Sequence, residues 1–136
     1  MFPQVKGRRA NGGKRSDLQD MYFRSAWEAN YARYLNWLIG LGQIKKWEFE
    51  VDTFEFKEIK KGTRFYTPDF KVYENDGTYS YHEVKGYMDA KSETKLKRMS
   101  KYYPQERIIV IGLKEYKEIY QKVSAFIPNW EGRQPR

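Results

Sequence analysis

The tripeptide Asn75-Asp76-Gly77 constrains this chain more than any other short string. It separates two extended runs, 64–73 and 78–85, and supplies the residues that tight hairpin turns demand. Loop length decides which side chains meet. A two-residue Asp76-Gly77 loop sets Phe70, not Asp69, opposite Glu83. A three-residue loop, a type I turn followed by a left-handed Gly77, sets Glu74 opposite Thr78 and Asp69 opposite Glu83. A bulge at Pro68, where the backbone lacks a donor, has the same effect. Side chains alternate along a strand, so Lys85 points the same way as Glu83. The hairpin therefore admits two carboxylates and one amine on a single face. Such a trio around an oxygen-liganded divalent cation suits hydrolysis of a phosphodiester.

The flanking sequence frames that hairpin. Ser25-Ala26-Trp27-Glu28 matches a capping box, with Ser25 as N-cap and Glu28 at the third helical position. Trp27, Tyr31, Tyr34, Leu35 and Leu38 follow in helical rhythm, and Gly40 and Gly42 stop it. Trp47, Phe49 and Val51 alternate with acids as in a half-buried strand, and 54–59 continues extended. Beyond Gly86, residues 89–103 read as a helix closed by Pro104, with Leu96, Met99 and Tyr103 inward. The apolar run 107–112 reads as a buried strand, and Tyr116, Ile119, Tyr120 and Val123 mark a last helix. The expected fold is α/β: one domain with a central mixed β-sheet flanked by helices, in the order αβββαβα. Residues 1–16, Gly-rich and without periodicity, read as a flexible basic arm ahead of a folded domain, 17–136.

Charge points to a polyanion. The formal net charge is +8. The arm holds Lys6, Arg8, Arg9, Lys14 and Arg15 with no acid, and 85–107 holds seven basic against three acidic residues. The rest of the chain is near neutrality. Nucleic acid is the expected partner, with Arg8, Arg9, Lys14 and Arg15 from the arm and Lys91, Lys95, Arg98 and Lys101 from the helix as phosphate contacts. The competing reading is a solvated, solubilising surface. Without cysteine there is no disulfide and no thiolate metal centre, and a single histidine, His82, argues against zinc. No apolar run is long enough for a bilayer, and the first six residues lack the apolar stretch of a secretory signal. A cytoplasmic chain with no membrane association is the expectation. His82 alternates with Glu83 and should face away from it, in a packing or surface role. Tyr79 and Tyr81 share the face of Glu83, with core packing as their expected role.

These motifs resemble the PD-(D/E)XK nuclease superfamily. Pro68-Asp69 matches the first half of its signature and Glu83-Val84-Lys85 the second. Ser25-x-x-Glu28 resembles the upstream helix of archaeal-type Holliday junction resolvases. The wording Tyr66-Thr67-Pro68-Asp69-Phe70 and Glu83-Val84-Lys85-Gly86-Tyr87 is similar to that of small phage-encoded nucleases. The likeness covers residues 22–112 and implies a restriction-endonuclease-like core. It also implies a Mg²⁺-dependent endodeoxyribonuclease, with Mn²⁺ able to substitute. Asp69 and Glu83 are then metal ligands, with the Val84 carbonyl as a further one. Glu28 binds the metal through water, holds a second ion or acts as a base, although by local sequence alone it is the N3 partner of Ser25. Lys85 orients the attacking water or offsets transition-state charge. By resemblance, small size, no added recognition element, the Ser-x-x-Glu helix and the basic N-terminal arm imply branched DNA, cut by a homodimeric Holliday junction resolvase, in a bacterial host cell if the chain is phage-encoded. Two alternatives stay open: a nuclease of flaps, nicks or recombination ends, and a DNA-binding module in which the acids are structural. An RNA-binding adaptor lacks its recognition signature here.

Overall fold

The computed structural model describes residues 11–132. A short ribbon comes first: β1 (Gly13–Arg15) pairs antiparallel with β2 (Met21–Phe23) and leads into α1 (Ala26–Gly40). α1 begins at the Ser25 N-cap, where Ser25 Oγ accepts the Glu28 N–H at 3.1 Å; this is the Ser25 half of the expected capping box. β3 (Lys46–Phe49) follows, then a second ribbon of β4 (Phe54–Glu55) and β5 (Phe65–Tyr66). β6 (Phe70–Tyr73), β7 (Tyr79–Val84), α2 (Ala90–Tyr102), β8 (Ile108–Ile111) and α3 (Leu113–Val123) complete the chain. One four-stranded sheet runs β3-β6-β7-β8, with β7 and β8 parallel and the other neighbours antiparallel. The protein is thus α/β with a mixed sheet, as expected.

Two details differ from expectation. The seven-element order is interrupted by the four short strands of the two ribbons. The long strand 64–73 is broken at Thr67-Pro68-Asp69: its first half pairs with β4 and its second with β3 and β7. Pro68 offers no N–H to a ladder, and the Asp69 N–H turns to the Glu83 carboxylate.

The β6–β7 turn is the three-residue one. Glu74 donates its N–H to the Thr78 carbonyl at 2.7 Å, Gly77 closes on the Glu74 carbonyl at 3.0 Å, and Gly77 has φ +91°. The ladder pairs Tyr73 with Tyr79 and Phe70 with His82, so Asp69 lies across from Glu83. The two sheet faces then separate by alternation. Phe70, Val72 and Val84 join Ala29, Ala32 and Leu35 of α1 in the main core, together with Phe23 and Ile111. A second core gathers Phe56, Tyr66 and Met99, so α2 and the β4–β5 ribbon pack together on the face that carries Asp69 and Glu83. Each fully buried phenylalanine, such as Phe70, contributes on the order of 2–3 kcal/mol.

The basic arm is corrected where it is described. Residues Gly13–Arg15 form β1, and Arg15 is 9% exposed, its guanidinium bonded to Glu131 at 2.7 and 3.0 Å. It is a structural cation, not a phosphate contact, because burial and a carboxylate partner already claim its charge. Lys14, next to it, is exposed. Arg8 and Arg9 lie outside the described residues.

His82 faces α1, away from Glu83. Its Nδ1 shares a 2.6 Å hydrogen bond with the Tyr31 hydroxyl, and Nε2 meets Ser80 Oγ at 3.2 Å. Burial, with Arg107 assisting, pushes its pKa down from 6.5 to about 4. The folded state therefore excludes a proton that the unfolded chain binds between these values, and stability is lost as pH falls through that window. His82→Asn should lose less stability than the native chain between pH 7.5 and pH 5, by about 2 kcal/mol in urea titrations. Parallel losses would show that His82 does not titrate in this range.

Candidate active site

The end of β7 and the broken strand meet at an open cavity of about 510 Å³, lined by Arg24, Glu50, Tyr66, Asp69, Glu83, Lys85 and Lys95 among others. Asp69 is 3% exposed. Its Oδ2 accepts the Val84 N–H at 2.8 Å, which fixes the carboxylate against the end of β7. Glu83 Oε1 accepts the Tyr66 hydroxyl at 2.8 Å and the Asp69 N–H at 3.3 Å. Glu28 arrives from the first turn of α1. Its Oε1 takes the Arg24 N–H at 3.0 Å and its Oε2 meets the Arg24 guanidinium at 3.3 Å, so the carboxylate binds the residue before the N-cap and not the Ser25 N–H of a full capping box. Gly86, just past Lys85, lies against the Trp27 ring, where a β-carbon would stand 3.2 Å away. That close approach, with Trp27 stacked on Tyr116 at 4.0 Å between centroids, draws the start of α1 to the end of β7.

The electrostatics are those of crowded buried acids. Burial first, then the charges of Glu83 and Glu28, push the Asp69 carboxyl up to about 8. Burial also raises Glu28, opposed by the Arg24 charge, and raises Glu83, opposed by the Tyr66 and Asp69 hydrogen bonds and by the Lys85 and Lys95 amines. The Tyr66 hydroxyl is held strongly protonated by burial and by the adjacent Glu83 charge. An all-carboxylate set of this kind has the chemistry to take a hard divalent cation, and its acids repel one another until a cation is present.

Among the described residues no three acidic or histidine side chains stand as a ready-made ligand set. A guanidinium nitrogen of Arg24 sits between Glu28, Glu50 and Asp69, at 3.3, 2.6 and 3.5 Å. Sequence reasoning missed both Arg24 and Glu50. The i,i+4 spacing of Arg24 and Glu28 was the available signal for the first. Glu50 reads as an ordinary outward residue of an alternating strand. A left-handed backbone, φ +50°, and an N–H bond to the Asp69 carbonyl at 2.8 Å turn it into the cavity.

The sequence between residues 8 and 118 matches the family described as Protein of unknown function (DUF1064), well over half of the chain. The chain belongs to the DUF1064 family. No curated protein and no solved structure matches it.

The basic residues of this DUF1064 chain divide into those near the cavity and those committed elsewhere. Lys85 and Lys95 line the cavity with the acids. Lys91 is exposed on α2, and so is Lys101, whose amine lies 5.2 Å from the centre of the Tyr102 ring. Arg98 needs correction as a phosphate contact. It is half-buried and donates to the Thr63 carbonyl, so it ties α2 to the loop between β4 and β5. Tyr79 and Tyr81 share the face of Glu83 but hydrogen-bond to Glu106 and Asp52, outside the cavity lining. No helix among the described residues is long and apolar enough to cross a membrane.

Proposed function

We propose that this DUF1064 chain is a divalent-metal-dependent endodeoxyribonuclease acting on branched DNA. The observation that carries the reading is the pairing of buried Asp69 with half-buried Glu83 across one hairpin, with Lys85 lining the same open cavity. The charges of Glu83 and Glu28 both act on buried Asp69, and such crowding is expensive in a protein that merely binds DNA, since acids repel phosphate as well as each other. Asp69, Glu83 and Glu28 are the residues that would hold Mg²⁺ or Mn²⁺. When bound, such an ion supplies Lewis-acid activation of a phosphodiester and of water. The chain's own groups do the rest. Lys85 and Lys95 hold the phosphate at the mouth, Tyr66 fixes the Glu83 carboxylate through its hydroxyl, and the Val84 N–H fixes Asp69. The preference for four-way junctions and a homodimer rests on the likeness to resolvases, since two symmetric cuts need two symmetric sites.

The test is incubation of the purified chain with labelled four-way junction, flap, nicked and linear duplex DNA, in Mg²⁺, Mn²⁺ or EDTA. Cutting that needs the metal and falls as paired symmetric incisions in the junction is the expected result. Flap or nick cleavage instead would reassign the substrate, and cutting undiminished by EDTA would remove the metal mechanism. A second reading, a DNA-binding module, draws on Arg24, which already balances the acids without a metal. Junction binding with no incision under any metal would favour it.

A further inference from the structure

Arg24 makes three carboxylate contacts yet belongs to no core. Its side chain is 57% exposed, whereas those of Glu28 and Asp69 are 9% and 5% exposed. The guanidinium thus reaches inward from solvent to anions that are themselves buried. Its shortest contact, 2.6 Å, is to Glu50, the acid that the left-handed turn after β3 directs into the cavity. A non-glycine residue in that conformation is unfavourable by itself, and the Arg24–Glu50 pair is the contact it secures. An arginine so placed balances the carboxylates when no other cation is there. A divalent cation on Asp69 and Glu28 would compete for the same oxygens and repel the guanidinium at close range. The side chain has somewhere to go: it lines the same opening as Lys85 and Lys95, and a guanidinium forks onto phosphate oxygens as well as onto carboxylates.

We propose that Arg24 is an exchangeable counter-ion. It neutralises Glu28, Glu50 and Asp69 in the metal-free protein, yields its place to an entering divalent cation, and then positions a DNA phosphate at the cavity mouth. Glu50 is the anchor for the resting state. The proposal rests on the nuclease reading above and adds to it the residue that couples metal entry to DNA engagement.

Two measurements on the full chain test it. The first is calorimetric titration with Mn²⁺ at pH 8.5, comparing the native chain with Arg24→Met and Asp69→Asn. Loss of one competing charge at contact distance should tighten Mn²⁺ binding by about tenfold in Arg24→Met. The second is four-way-junction binding across a salt series, in Ca²⁺ and in EDTA. In Ca²⁺ the salt slope of Arg24→Met should be smaller than native by about one, the signature of one lost phosphate contact; in EDTA the two slopes should coincide, because native Arg24 is then held by carboxylates. Arg24→Gln replaces Arg24→Met if thermal melts show the latter to be unfolded. Unchanged or weaker Mn²⁺ binding in the folded variant, where the native chain binds Mn²⁺ through Asp69, overturns the exchange while leaving the metal site standing. Equal slopes in Ca²⁺ overturn the phosphate role. Absence of Mn²⁺ binding in both chains removes the metal reading and this proposal together.

Discussion

Replacing Asp69 by asparagine should abolish metal-dependent cutting, a loss on the order of 10³-fold, while the metal-free protein becomes more stable at high pH. The substitution keeps shape and an acceptor for the Val84 N–H but removes the charge most crowded by its neighbours. The sign follows from the shift. The folded-state pKa is about 8 against an ordinary 3.8, so between these values the folded chain holds a proton that the unfolded chain has released. Stability contributed by Asp69 is therefore fully present below 3.8 and lost as pH rises through 8. The amide of Asp69→Asn does not titrate, and the variant's advantage should grow from pH 5 to pH 9 by a few kcal/mol, on the order of 3. Saturating Mg²⁺ should erase that advantage, because only the native chain gains a bound cation. Junction binding in EDTA should stay level or tighten, since one source of phosphate repulsion is gone. Three readouts then point one way: urea melts at two pH values, junction affinity and incision. Incision at the native rate by the variant would remove Asp69 from the site, whatever the melts show.

The hairpin was readable because its information is local. Gly77 supplies the one left-handed position the turn needs, and a period of two then carries the register back along the strand to Asp69. The capped start of α1 was readable for the same reason: Ser25 and Glu28 are three residues apart. What stayed hidden depends on residues far apart in the chain. Glu50 alternates with Phe49 like any solvent-facing acid, and only its positive φ and its bond to Asp69 turn it inward. Arg98 follows the spacing of the outward lysines, but the loop at Thr63 comes to meet it. Basic, glycine-rich sequence around residue 14 has the composition of a mobile arm, and composition cannot show that its arginine is buried against a carboxylate 116 residues away. Charge patterning thus overcounted the free cations, since Arg15 and Arg98 are already committed to contacts within the fold.

That distant partner sets a large stability effect outside the site. Glu131 accepts Arg15 at 2.7 and 3.0 Å and Arg33 at 2.8 Å, while its backbone exchanges two hydrogen bonds with the fully buried Asn30 side chain. Arg33, 6% exposed, reaches Asp17 with its remaining donors at 2.8 and 3.0 Å. The cluster ties β1, the turn after it, the middle of α1 and the segment beyond α3 into one clasp. Glu131→Ala strips a shared acceptor from two nearly buried guanidinium groups. Breaking a buried pair from one side costs several kcal/mol, and with Asp17 and main-chain carbonyls still compensating, about 3 kcal/mol is expected here. For a chain of 136 residues that corresponds to a melting temperature lower by about 10 °C. Burial pushes the Glu131 carboxyl up, but the Arg15 and Arg33 hydrogen bonds outweigh it and hold the pKa below its ordinary 4.5. A depressed acid stabilises fully above 4.5 and loses its contribution as pH falls through the folded value, so the gap between native and variant should close in strong acid. Hydrogen exchange should accelerate in β1 and β2 of the variant before it does in the β6–β7 hairpin. A loss below about 1 kcal/mol, the range of exposed ion pairs, would mean that the clasp is solvated and that the β1 ribbon is held by its backbone pairing alone.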